Sequence, residues 1–160
     1  PNYPILAEAG VNIKYKSSLR KKQDEELIVH QSIANDVAIL KLFPGITIAT
    51  IKAVINSAKG IVIESFGAGN APTSPELSAL LSTSNKEGKI MINITQCLHG
   101  SAVDGQYETS EPFGKAGVIS GKDLTTEAAI TKLMFLLGQG LSNEEIKAEL
   151  QKNIRGEITN

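Results

Sequence analysis

The side chains able to do chemistry fall into three clusters, each following an apolar run. The first is Gly67-Ala68-Gly69-Asn70-Ala71-Pro72. Its glycines permit tight backbone turns, and the Asn70 carboxamide both donates and accepts hydrogen bonds. The loop runs toward a helix start, where free N–H groups favour an anion or carboxylate. A dinucleotide fingerprint needs a third glycine where Pro72 stands, so that chemistry is excluded. The second cluster is Thr95-Gln96-Cys97-Leu98-His99-Gly100. A thiol near an imidazole suggests a nucleophile, but side chains two apart on a loop rarely meet in that geometry. Cys97 therefore reads as a small buried thiol and His99 as a surface residue. With one Cys and two His, the other being the distant His30, a zinc site is not expected. The third cluster, Asp104 to Glu111, carries carboxylates and Tyr107 and reads as a solvated loop tip. There is no P-loop, no GxSxG elbow and no HExxH helix. Chemistry alone leads to an α/β domain with a ligand-facing edge and leaves the reaction open.

Those clusters need elements to hold them. Asp36–Phe43 is a mainly apolar run stopped by Pro44-Gly45, which predicts a buried strand and a turn. Ile48, Ile51, Val54 and Ile55 form one stripe of a short helix. Gly60–Ile63 and Lys89–Ile94 read as further strands. Between them, Ser74-Pro75 opens a helix with Leu77, Leu80 and Leu81 inward and Gly88 at its end. Thr73 and Glu76 also stand at capping-box spacing, so either Thr73 or Ser74 can be the cap. The stretch Thr95–Lys115 shows no helix or strand, and Gly117–Ile119 reads as a short fourth strand. Thr125 or Thr126 caps a strong helix that stops at Gly138. Ser142 and Glu145 open a last helix with Ile146, Leu150 and Ile154 inward. This alternation predicts an α/β, Rossmann-like three-layer domain: a four-stranded parallel sheet, about four helices, helices on both faces and right-handed crossovers. Ligands should approach the carboxyl ends of the strands, at Phe66–Thr73, Thr95–Tyr107 and Ser120–Thr125.

Residues 1–35 read as a connecting arm and edge, with weak extended pieces near Val11–Tyr15 and Leu27–His30. The mixed-sign run Arg20–Glu26 fits a solvated loop. The 160 residues are 41% hydrophobic and 21% charged, an ordinary globular balance. Sixteen basic and seventeen acidic residues give no electrostatic reason to expect nucleic acid or an anionic membrane as partner. No apolar run approaches the roughly 20 residues that cross a bilayer. The lone Cys97 forms no internal disulfide and suggests a reducing compartment. Pro1-Asn2-Tyr3-Pro4 lacks an initiator Met and the regions of a signal peptide, and reads as a fragment boundary or a processed chain.

Several strings, in order, resemble the bacterial-type L-asparaginases. GIVIESFGAGNAP (Gly60–Pro72) resembles their Gly-Asn loop, and INITQC (Ile92–Cys97) resembles the next strand and loop in the cytoplasmic type I branch. AGVISGKDLTTEAAITKLMFLLGQ (Ala116–Gln139) is similar to the family's final strand and helix. NIRGEIT (Asn153–Thr159) is similar to the type I carboxyl end, and PNYPILAEAGVNI to the interdomain passage. The resemblance implies the smaller, second α/β domain over residues 36–160, with the amino-terminal catalytic domain absent. Its enzymes hydrolyse L-asparagine to L-aspartate and ammonia without a cofactor, using threonines in motifs like TGGTI and HGTDT; neither string occurs here. It therefore implies an inactive piece of a cytoplasmic amidohydrolase, with no catalytic residue of its own. The implied partners are its own amino-terminal domain and further copies in a homodimer or homotetramer. Asn70, Tyr107 and Glu108 would bind substrate in the neighbouring subunit. Thr95, Gln96 and Cys97 match the region of an effector site. Glu64 stands where well-known allosteric members have Arg, and would repel an effector carboxylate. Two alternatives remain open: the asparaginase-like subunit of a tRNA-dependent amidotransferase, with glutamine as amide source, and a non-catalytic amino-acid-binding or oligomerisation module.

Overall fold

A computed structural model describes residues 7–15, 27–66, 74–97 and 111–158. Its centre is a parallel sheet of four strands in sequential order: β3 (Val37–Lys41), β4 (Gly60–Ser65), β5 (Ile90–Thr95) and β6 (Ile119–Ser120). Strands β1 (Ala7–Ala9) and β2 (Ile13–Tyr15) form a separate antiparallel pair. The expected extended piece at Leu27–His30 forms no strand.

Every residue of β4 and of β5 is buried, which is why both read as near-continuous apolar runs. Alternation along the strands sends side chains to two cores. Ile61, Ile63 and Met91 pack with α1 (Ile48–Asn56), α2 (Pro75–Lys86) and α3 (Glu111–Lys115) through Ile51, Ile55, Leu77, Leu81 and Phe113. Val62, Ile90, Ile92 and Ile94 pack on the other face against α4 (Thr126–Leu137) and α5 (Asn143–Leu150). Gly60 lets α4 lie close to β4: a Cβ there would come within 2.7 Å of Leu137. The short α3 lies in the stretch where no helix was expected, so the helices among the described residues number five. Five residues lack the length to show a hydrophobic period in sequence.

Hydroxyl side chains start the four longer helices. Thr47, Ser74, Thr125 and Ser142 each accept a hydrogen bond from a first-turn N–H, and Ser142 with Glu145 completes a capping box. This settles both open choices of cap, in favour of Ser74 and Thr125.

The tail after α5 closes the second core with the fully buried Ile158. It also supplies the partner of a buried cation. Lys132 lies on the inward stripe of α4, its side chain 5% exposed, 2.8 Å from the Glu157 carboxylate. Burial opposes the charge on Glu157, but the Lys132 ammonium and the N–H groups of Arg155 and Ile154 outweigh it. They hold its carboxyl at about 2, below the usual 4.5. A lowered folded-state value means that the pair stabilises the fold above pH 4.5, and that this contribution fades as pH falls from 4.5 toward about 2. Glu157→Gln should destabilise by on the order of 3 kcal/mol at pH 7, since it leaves a buried ammonium without a counter-charge. Urea unfolding at pH 7 and pH 3 checks this: the gap between variant and parent should narrow at the lower pH.

Candidate functional site

The carboxyl ends of β3, β4 and β5 meet where three residues singled out from sequence are locked together. Thr95 ends β5, and its Oγ1 accepts the Cys97 N–H at 3.0 Å, turning the chain as it leaves the sheet. The Gln96 carboxamide bridges the other two strand ends. Its Nε2 donates to the carbonyls of Leu42 at 2.8 Å and Glu64 at 2.9 Å. Its backbone N–H donates to the Ser65 carbonyl at 2.8 Å. The Ser65 hydroxyl returns the link, donating to the Ile94 carbonyl at 2.9 Å. Beyond this staple the Cys97 side chain is exposed, not buried as expected, because the strand has already ended at Thr95.

Glu64 points to the opposite face from Ser65 and reaches the first turn of α4. Its Oε1 accepts the Thr126 hydroxyl at 2.5 Å, and its Oε2 lies 3.1 Å from Lys41 Nζ. The residue is 8% exposed. A carboxylate is favoured at a helix amino terminus, so Glu64 fills that position from within the protein. With both oxygens engaged, it serves as an anchor between β3, β4 and α4 rather than as a free base.

Alternation places Ser65, Asn93, Thr95 and Ser120 on the face shared with α1 and α2. Asn93 was not anticipated from sequence. It is 4% exposed, and its Oδ1 is buried without a hydrogen-bond partner. A polar residue in the run Ile90–Thr95 was the available signal. Asn70, Tyr107 and Glu108 lie outside the described residues. Among the described residues, no group of acidic, His and Cys side chains could hold a metal ion. None of the described helices is long and apolar enough to cross a membrane.

The sequential strand order has a chemical consequence. Ligand crevices in open parallel sheets form where strand order reverses, so that neighbouring loops diverge. These four strands contain no such reversal. Their carboxyl ends lie side by side in chain order. A cavity of about 270 Å³ lies elsewhere, between α4 and the tail, lined by Ala128, Lys132, Phe135, Ile154 and Glu157.

Residues 36–150 match the glutaminase/asparaginase C-terminal domain. The chain belongs to that family. This asparaginase-type domain aligns over its whole length with L-asparaginase I of Vibrio cholerae, with a TM-score of 0.89 and 40% identity; it covers 49% of that chain. It is 35% identical over 161 residues to L-asparaginase 1 of Escherichia coli strain K12, covering 99% of this chain and 48% of that protein. It is also 43% identical over 163 residues to the human 60 kDa lysophospholipase, covering 99% of this chain and 28% of that protein. One subunit of the glutamyl-tRNA(Gln) amidotransferase of Pyrococcus abyssi is 34% identical over 145 residues, covering 90% of this chain and 33% of that protein. The chain thus spans about half the length of the asparaginases and a smaller share of the other two.

Two measurements test the edge. Gln96→Ala should cost about 1–3 kcal/mol in urea unfolding, because it strips a donor from two buried strand-end carbonyls. Ellman's reagent should titrate one thiol per native chain at the rate of an exposed cysteine; a thiol reacting only after denaturation would contradict the exposure of Cys97.

Proposed function

We propose that this domain is the carboxy-terminal part of a cytoplasmic L-asparaginase, and that it completes the active site of a neighbouring subunit in a homodimer or homotetramer. The observation that carries the reading is the 40% identity and close superposition, over the whole chain, with L-asparaginase I of Vibrio cholerae. In this reading the attacking hydroxyl belongs to the part of the enzyme that precedes this domain. It adds to the side-chain amide carbon of L-asparagine, ammonia leaves, and water releases L-aspartate. Four strands without a reversal of order suit a domain that closes a pocket built largely by another.

Three side chains carry the substrate role. The Glu108 carboxylate pairs with the substrate α-ammonium, and Asn70 and Tyr107 orient the rest of the amino acid. Glu64 and Gln96 are engaged with the protein's own groups, which supports positioning roles for both. An asparagine effector would have to displace those bonds, so activation by asparagine through Glu64, Thr95, Gln96 and Cys97 is not expected.

The 43% identity with the human 60 kDa lysophospholipase favours a second reading, hydrolysis of an acyl ester. The carbonyl attack and the oxyanion are common to both; the leaving group differs, an alcohol in place of ammonia. The amidotransferase relative keeps amide chemistry but draws on glutamine.

Full-length protein incubated with L-asparagine, L-glutamine and lysophosphatidylcholine separates these readings by ammonia and fatty-acid release. Ammonia from asparagine, with none from the 160-residue chain alone, is the expected result. Fatty acid without ammonia would overturn it. Glu108→Ala in the full-length enzyme should lower kcat/KM for asparagine by about 10- to 100-fold, the loss of one charge-assisted hydrogen bond.

A further inference from the structure

The tail after α5 forms no helix or strand, yet its own polar groups fix its shape. Asn153 Oδ1 accepts the Gly156 N–H, and Asn153 Nδ2 donates to the Ile158 carbonyl, both at 2.6 Å. The Glu157 carboxylate accepts the N–H groups of Ile154 at 3.1 Å and Arg155 at 2.5 Å, besides facing the Lys132 ammonium. The tail is thereby a shaped wall, and the cavity of about 270 Å³ lies between it and α4.

Two cations line this space with donors left over. An ammonium carries three N–H donors. In Lys132 one meets Glu157 and another the Lys152 carbonyl, which leaves the third unmatched on a side chain only 5% exposed. A buried donor without an acceptor is costly. Arg155 also belongs to the lining, on its exposed side. Its guanidinium donates once, to the Ile154 carbonyl at 3.2 Å, and no carboxylate among the described residues pairs with it. Glu157 is the single carboxylate among the described lining residues, and both its oxygens are already engaged. Two cations against one committed anion leave the cavity electropositive.

The other walls are apolar: Ala128, Phe135 and Ile154. The Thr131 hydroxyl, also in the lining, is turned back on the carbonyls of Glu127 and Ala128. Water alone would satisfy the Lys132 donor but would leave those apolar walls wet. At about 30 Å³ per water, the 270 Å³ cavity holds on the order of nine water-sized atoms.

We propose that the cavity between α4 and the tail binds a small monocarboxylic acid with an apolar body, of the size of an arylacetate. The carboxylate takes the free Lys132 donor and the Arg155 guanidinium, whose planar fork suits two oxygens. The apolar body replaces water against Phe135, Ile154 and Ala128.

Calorimetric titration of the full-length protein with phenylacetate at pH 7 tests this. Saturable binding with a Kd of about 1 mM or tighter is expected. Phenylacetamide keeps the ring and loses the charge; acetate keeps the charge and loses the ring. Each should bind at least about 10-fold more weakly. Arg155→Gln should weaken phenylacetate by about 10-fold, and Ala128→Leu, which fills the cavity and spares both cations, should abolish its binding. The absence of saturable binding would overturn the proposal. So would an amide that binds as well as the acid, or binding that both variants leave unchanged, since the acid is then held elsewhere. Melting temperatures within about 1 °C of the parent show that the variants fold. If either melts lower, the comparison of acid, amide and acetate on the parent protein decides alone.

Discussion

Two adjacent strands buried on both faces constrain everything else in this domain. All twelve residues of β4 and β5 are out of water, so their backbone groups must be paired laterally and their side chains covered above and below. β3 and β6 supply the lateral pairing. α1, α2 and α3 cover one face and α4 and α5 the other. Polar function is thereby pushed to the strand ends, where Ser65 and Gln96 donate to strand carbonyls and Thr95 accepts the Cys97 N–H.

Much of this was legible in the sequence because it is local. A hydroxyl ahead of an apolar stripe marks a helix start within a residue or two, as at Ser74, Thr125 and Ser142. Continuous apolar runs at Gly60–Ile63 and Lys89–Ile94 mark strands covered on two sides. Interactions that span the chain were not legible. Gln96 reaches Leu42 across 54 residues, and only the register of three strands brings them together. The Cys97 thiol depended on where β5 stops, a boundary that an apolar run does not define. Lys132 is an intermediate case. Ala129, Leu133 and Leu136 define an inward stripe that includes position 132, but its partner Glu157 belongs to a tail with no periodicity.

The candidate site divides along the same line. Family resemblance singled out seven residues, and the structure supplies what the four described ones do. Glu64 and Gln96 spend their polar atoms on the scaffold, Thr95 turns the chain, and Cys97 faces solvent. Among the described residues near this edge, the side-chain oxygen of Asn93 is buried without a hydrogen-bond partner. Asn93 sits two residues before Thr95, on the same face of the sheet.

The tail bears on where this folding unit stops. The match to the family's domain ends at residue 150, yet the physical body continues eight residues further, to the apolar plug of Ile158 and the anion of Glu157. Trimming the polypeptide after Leu150 would strand the Lys132 ammonium in a greasy seam with no counter-charge, and would open the second core to water beside it. The end of the family-domain match and the end of the packed body are different things here, and one buried ion pair spans them.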